Sequence, residues 1–283
     1  NISAALYLRM WADNVFGVLS ENPHINEADE CKGGVADDTA MLEIRRCLGQ
    51  EKGLLLSDMF LRKCLVYQNG DAQRAAGTAE RFIAFRQAER WPFRLMVWDV
   101  QVALKTGLHW LLPGKSFGTS RELLPAGCLV FNMAALDPSK CSIEEYQKLS
   151  LFLMEAATDD LRVQQRGVAL VADFREINFQ RFRSAVGLED IKRGLRCWVG
   201  SFPCRVRRIW LLAAPTAVRW LTGAVTKFLS SKVRNRIRMT EKVKDIAEDL
   251  GLCIDLPISL GGESHFDWDA EVQKYLAVSK VSL

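Results

Sequence analysis

The chain has 283 residues, 49% apolar and 25% charged, a balance ordinary for a globular fold with a large core and room for two structural units. Its formal charge of +4 conceals an asymmetry, because the segment from Lys192 to Lys244 holds fourteen Lys/Arg against one acid, Glu241, and the remainder is net acidic. Such a segment calls for an anionic partner: a membrane surface, a phosphorylated head group or nucleic acid. The apolar opening from Ile2 to Leu19 is broken by Arg9, Asp13 and Asn14, so it is predicted to be neither a membrane span nor a signal peptide.

In chain order, residues 1–95 are predicted to be helical. Asp37 and Asp38 are placed to cap a helix through Met41, Leu42, Ile44 and Leu48. Ser57 or Asp58 starts a second helix with Phe60, Leu61 and Leu65, and Asn69-Gly70-Asp71 forms a turn followed by a cap. Ala75, Ala79, Phe82 and Ile83 then make a helical stripe that Pro92 terminates.

From about residue 96 the pattern changes. Cys128–Asn132, Val168–Ala172 and Ile209–Ala213 are short apolar runs, each predicted to be a buried strand. A helix from Ser142 to about Leu161, opened by the capping box Ser142-Ile-Glu-Glu145, lies between the first two, and a helical region from Leu188 to Val199 lies between the second and third. This alternation predicts an α/β fold with a largely parallel sheet, closed by a last strand from Cys253 to Leu256.

Residues 216–229, placed on a helix, gather Val218, Leu221, Val225, Phe228 and Leu229 within roughly 100° of arc. A core-facing helix that never moves gives the same periodicity. Ser230-Ser231 is placed to cap a further helix carrying Lys232, Val233, Arg234, Arg236, Ile237 and Arg238, with cations on both sides of a narrow apolar strip. That arrangement suits a membrane interface, and equally a solvated charged surface.

Four blocks carry a family resemblance: Phe60-Leu61-Arg62-Lys63, Gly167-Val-Ala-Leu-Val-Ala-Asp173, Ser201-Phe-Pro203 running through the strand to Pro215, and Leu256-Pro-Ile-Ser-Leu-Gly261-Gly262. In this order they resemble CRAL-TRIO lipid-binding proteins, closest to the branch that holds the alpha-tocopherol transfer protein and the cellular retinaldehyde-binding protein. The family asparagine before Pro215 is replaced by Ala213 or Ala214, the second arginine of the first block is Cys64, and residues 105–124 match poorly.

The resemblance implies a helical N-terminal domain over 1–95 and a lipid-binding α/β domain with a C-terminal tail over 96–283, holding one hydrophobic lipid under a helical lid. It implies cavity walls from Ser150, Met154, Val168, Leu170, Ala172, Trp198 and Phe202, and a lid bearing Val218, Leu221, Val225 and Phe228. Arg205, Arg207, Lys232 and Arg236 match positions that grip phosphoinositide phosphates, a task suited to the arginine fork.

Competing classes find less in the residues. The basic segment contains Trp198, Trp210 and Trp220 but no nucleic-acid recognition motif. Among His24, His109 and His265 no catalytic spacing appears, and nucleophile-elbow, phosphate-loop and dinucleotide motifs are missing. Asp173 is expected to bond local backbone or an arginine. No CxxC pair occurs among the eight cysteines, which read as buried free thiols. The expectation is therefore a monomeric cytoplasmic carrier, transiently membrane-associated, without catalysis, metal or cofactor other than its lipid. A lipid-sensing adaptor without net transport is the alternative.

Overall fold

The structure, a computed structural model, describes residues 38–115, 124–198, 201–226 and 234–281. Four helices come first: α1 (Asp38–Leu54), α2 (Asp58–Tyr67), α3 (Ala72–Glu89) and α4 (Val97–Leu104). Their starts have local causes. The Ser57 hydroxyl accepts the Phe60 N–H at 3.3 Å and the Asp71 carboxylate accepts the Arg74 N–H at 2.9 Å, satisfying donors that a first helical turn leaves open. The stripe Ala75, Ala79, Phe82 and Ile83 is wholly buried, as is the α1 face formed by Met41, Ile44 and Leu48. Arg90 closes α3 in the left-handed region at φ 56°, two residues before Pro92.

The α/β part continues with β1 (His109–Pro113), β2 (Gly127–Asn132), α5 (Ile143–Ala157), α6 (Leu161–Arg166), β3 (Val168–Asp173), α7 (Phe179–Ala185) and α8 (Leu188–Trp198). It ends with β4 (Val206–Leu212), α9 (Thr216–Thr226), β5 (Ile237–Thr240), α10 (Val243–Leu250) and α11 (Trp268–Val281). The strands lie in the order β1-β2-β3-β4-β5, with β1 antiparallel to β2 and every other pair parallel. The capping box forms as expected: the Glu145 N–H donates to Ser142 Oγ at 3.2 Å and the Ser142 N–H donates to Glu145 Oε2 at 2.9 Å.

Two expectations need correction, and one element was not assigned from the sequence. The helix proposed to run through Arg238 stops at Arg234, and Ile237–Thr240 is β5, whose residues pair with β4. Alternating Ile237 and Met239 fit a strand's two-residue period, and backbone pairing with β4 outweighs the helical spacing of Val233 and Ile237. Cys253–Leu256 is not a strand: Ile254 makes a single antiparallel bridge to Gly114. Residues 109–113, from the stretch that matched the family poorly, form the antiparallel edge strand β1.

Each sheet face meets a different layer. Cys128, Val130, Ala169, Val171, Trp210 and Leu212 pack beneath Ile246 and Leu250 of α10. Leu129 and Val168, on the other face, join a core that runs through α5 into the N-terminal helices. Lys63 fastens the two parts, donating to the Glu155 carbonyl at 3.0 Å and to Asp159 at 2.6 Å at the end of α5. The paired glycines near the C-terminus have a local reason. Gly261 sits at φ 80°, and a Cβ on Gly262 would stand 2.0 Å from the Leu256 carbonyl oxygen.

Candidate ligand-binding site

The sheet register builds the site. On the face opposite α10, strand pairing sets His109 beside Phe131, Phe131 beside Ala172, Ala172 beside Leu211, and Leu211 beside Met239. A second row runs Leu111, Leu129, Leu170, Ile209 and Ile237. The α10 face of β3 and β4 is closed by packing, with Ala169, Val171 and Leu212 fully buried. On the row face Leu170, Ala172, Ile209, Leu211 and Ile237 are only half-buried, and Met239 is 44% exposed. Strands of a parallel sheet are normally covered on both faces. An apolar guest covering this one gains about 25 cal/mol for each Å² removed from water.

The expected wall residues separate into two groups. Leu170 and Ala172 lie on the half-buried rows, whereas Met154 and Val168 are fully buried in the core. Phe202 is also buried, its ring 6.3 Å from those of both Phe60 and Phe82. Ser150 is buried on α5, 3.0 Å from His109 Nδ1. Trp198 closes α8, and its side chain lies outside the described residues.

The expected lid helix is α9. It leaves β4 through Ala213, held at φ 51° with its N–H on the Thr240 carbonyl at 2.8 Å, and through Pro215. Arg219 secures the first turn, donating to the Ala214 carbonyl at 2.7 Å and pairing with Glu241 beyond β5. The helix is thus fastened at its N-terminal end. Val218 is half-buried and Trp220 is 55% exposed. Leu221 and Val225 fall on α9 with side chains outside the described set, and Phe228 and Lys232 lie outside the described residues altogether.

The basic segment is not one surface. Arg205 is buried, donating to the carbonyls of Gln164, Val66 and Tyr67 at 2.9, 3.0 and 2.7 Å and to Asn69 Oδ1 at 2.7 Å. Arg207 is buried as well and donates to the Arg166 carbonyl at 2.9 Å. These carbonyls belong to the last turns of α2 and α6, where helix acceptors lack intrahelical partners and cations are favoured. The structure therefore turns both guanidinium groups inward, away from the surface that phosphate gripping requires. Arg236 is half-buried at the entrance to β5, where burial lowers its pKa. Arg234, Arg238, Lys242 and Lys244 are exposed around the same strand.

Other titratable groups have local partners. Asp173 accepts the Arg175 backbone N–H at 3.0 Å and two donors from the same guanidinium, so it bonds both local backbone and an arginine. Cys64, Cys128, Cys141, Cys197, Cys204 and Cys253 are buried free thiols, and Cys47 is exposed. Burial pushes the thiols of Cys197 and Cys204 up to about 12, far from the thiolate form that reacts. Among the described residues no cluster of His, Cys, Asp or Glu could hold a metal, and no helix is long and apolar enough to cross a membrane.

The sequence assigns His109 no role because its neighbours in the chain carry no motif; the pairing of β1 with β2 sets it, buried, at the end of the apolar row. Residues 124–262 match the CRAL/TRIO domain family. Tyrosine-protein phosphatase non-receptor type 9 of Mus musculus and that of Homo sapiens are each 26% identical to this chain over 148 residues, 52% of this chain and 24% of theirs. The chain spans about a quarter of the length of these curated relatives. The crystal structure of Sfh5 aligns over 99% of this chain and 98% of its own at a TM-score of 0.49 and 14% identity.

Proposed function

We propose that this chain, which carries a CRAL/TRIO domain over residues 124–262, binds one small hydrophobic lipid on the open face of β3–β5 and transfers it between membranes. The observation that carries this reading is the half-buried apolar side chains of the two rows on β3–β5, backed by β3 and β4 residues that are fully packed on the other face. The ligand is a tocopherol, a retinoid or a similar compound, and α9 is the lid.

Docking to phosphoinositide-containing membranes follows from the charge around β5. Arg236, with exposed Arg234, Arg238, Lys242 and Lys244, sets cations on and around β5, which pairs with the strand that leads into α9, and Lys232 precedes them in the sequence. Arg205 and Arg207 act in the fold and stand outside this patch. Anionic head groups that bind the patch better when α9 is open shift the population toward release. The protein works as a cytoplasmic, transiently membrane-associated monomer that carries its ligand without chemical change.

The test is transfer of NBD-labelled tocopherol from the loaded protein to phosphatidylcholine vesicles with and without phosphatidylinositol bisphosphate. Transfer accelerates when the anionic lipid is present, and the double variant K232E/R236E loses the acceleration while remaining folded. Leu221→Asp with Val225→Asp fails to retain the label. Transfer that ignores the anionic lipid overturns membrane docking, and failure of the wild-type protein to take up any hydrophobic probe overturns the carrier reading.

A further inference from the structure

A cleft of about 540 Å³ opens where the N-terminal helices meet the α/β part, and none of its lining residues lies on the sheet. Leu56 and Phe60 wall it from the start of α2, and Phe93 and Val97 from the segment leading into α4. Phe152 of α5 and Tyr275 of α11 close one end, their ring centres 5.7 Å apart and edge-on. Leu55 and Met59 remain exposed at the lip. Such walls favour an apolar guest over water.

The other end is charged, and Glu155 gathers its groups. The Glu155 carbonyl accepts from Lys63 at 3.0 Å, and its carboxylate pairs with Arg86 and accepts the Leu95 N–H at 3.4 Å. Lys63 also donates to Asp159 at 2.6 Å, so two of its three N–H donors are engaged among the described residues. Each acid lining the cleft thus has a buried cation of its own, Lys63 for Asp159 and Arg86 for Glu155. Arg94, the residue before Leu95, is exposed and has no ion pair among the described residues. One positive charge is therefore left over beside apolar walls.

We propose that this cleft is a second ligand site, separate from the row face, and that it takes an amphiphile with a single carboxylate. Arg94 and the remaining N–H of Lys63 hold the head, and the tail lies along α5 toward Phe152 and Tyr275. From Phe152 to Asp159 the chain advances roughly 10 Å, which suits a tail of about eight methylenes. An ammonium head meets no unpaired carboxylate here, because Asp159 and Glu155 are already neutralised. An uncharged head forgoes the charge-assisted hydrogen bonds that a carboxylate makes. Neither the lining nor the charge balance involves β3–β5, so the site stands or falls apart from the row face.

Dodecanoate, dodecanol and dodecylamine, titrated by calorimetry against the full chain at neutral pH, test the assignment. Dodecanoate is expected to bind about tenfold more tightly than either of the others. Arg94→Glu, a change at an exposed side chain, should remove the preference over dodecanol. Ala156→Trp, which fills the cleft, should weaken dodecanoate at least about tenfold, whereas Leu211→Trp on the row face should leave it unchanged. Photolysis with a twelve-carbon acid bearing a diazirine at its far end should label peptides that contain Phe93, Phe152 or Tyr275. No preference for the acid, a preference for the amine, or an unaltered preference in Arg94→Glu overturns the carboxylate site. Labelling confined to β3–β5 overturns it as well and leaves the carrier reading standing.

Discussion

Arg205 engages Tyr67 twice: its guanidinium donates to the Tyr67 carbonyl at 2.7 Å and lies 5.5 Å from the centre of the same residue's ring. The strand entering the sheet is thereby clamped to the end of a helix in the N-terminal part. Arg205→Ala leaves several buried acceptors without donors and should destabilise the protein by about 2–4 kcal/mol in urea unfolding. Arg205→Lys should recover only part of this, because one ammonium cannot reproduce the fork. Vesicle binding per folded molecule should be unchanged; a stable Arg205→Ala protein with weakened vesicle binding would restore this residue to the membrane patch.

His109 makes stability depend on pH in a defined direction. Its pKa is lowered from 6.5 to about 3 in the fold, so the unfolded chain takes up a proton where the native ring does not. The contribution is present above pH 6.5 and is lost as pH falls toward 3. At about pH 5 the loss amounts to about 2 kcal/mol relative to neutral pH. Unfolding curves of wild type and His109→Gln should diverge in pH dependence by about that amount, and identical slopes would contradict burial of a neutral ring.

Lys63 joins the N-terminal helices to the end of α5 through Asp159 and the Glu155 carbonyl. Its side chain is 5% exposed while that of Asp159 is 53% exposed, so solvent screens one partner and not the other. Lys63→Met should cost about 1–2 kcal/mol and Asp159→Asn less, with the double variant showing less than the sum. Additive effects measured by urea unfolding would mean that the two groups act independently.

Gly262 tolerates no side chain. A Cβ would meet the Leu256 carbonyl oxygen at 2.0 Å, so Gly262→Ala should force the closing turn apart and cost more than about 2 kcal/mol. A thermal midpoint equal to that of wild type would show that the turn relaxes freely.

The elements that were legible in the sequence declare themselves locally. Ser57, Asp71 and Ser142 accept N–H groups within their own first turns, and β2 and β3 are uninterrupted apolar runs. The edge strands were not legible. Pro113 ends β1 and Arg238 interrupts β5, and charge or proline at a sheet edge is what a strand without an outer neighbour commonly bears. The burial of Arg205 and Arg207 was hidden for a different reason: the carbonyls that claim them belong to helices more than thirty residues away in the chain. The two rows of the site became visible only with the register of all five strands, since no segment alone contains them.

Native mass spectrometry of the protein purified from its own cells tests the central claim most directly. The spectrum should show one hydrophobic adduct per chain that organic extraction removes and that is lost from a Leu211→Trp variant, which fills the row face while remaining folded. A wild-type protein carrying no adduct and accepting none from added lipid would contradict the account.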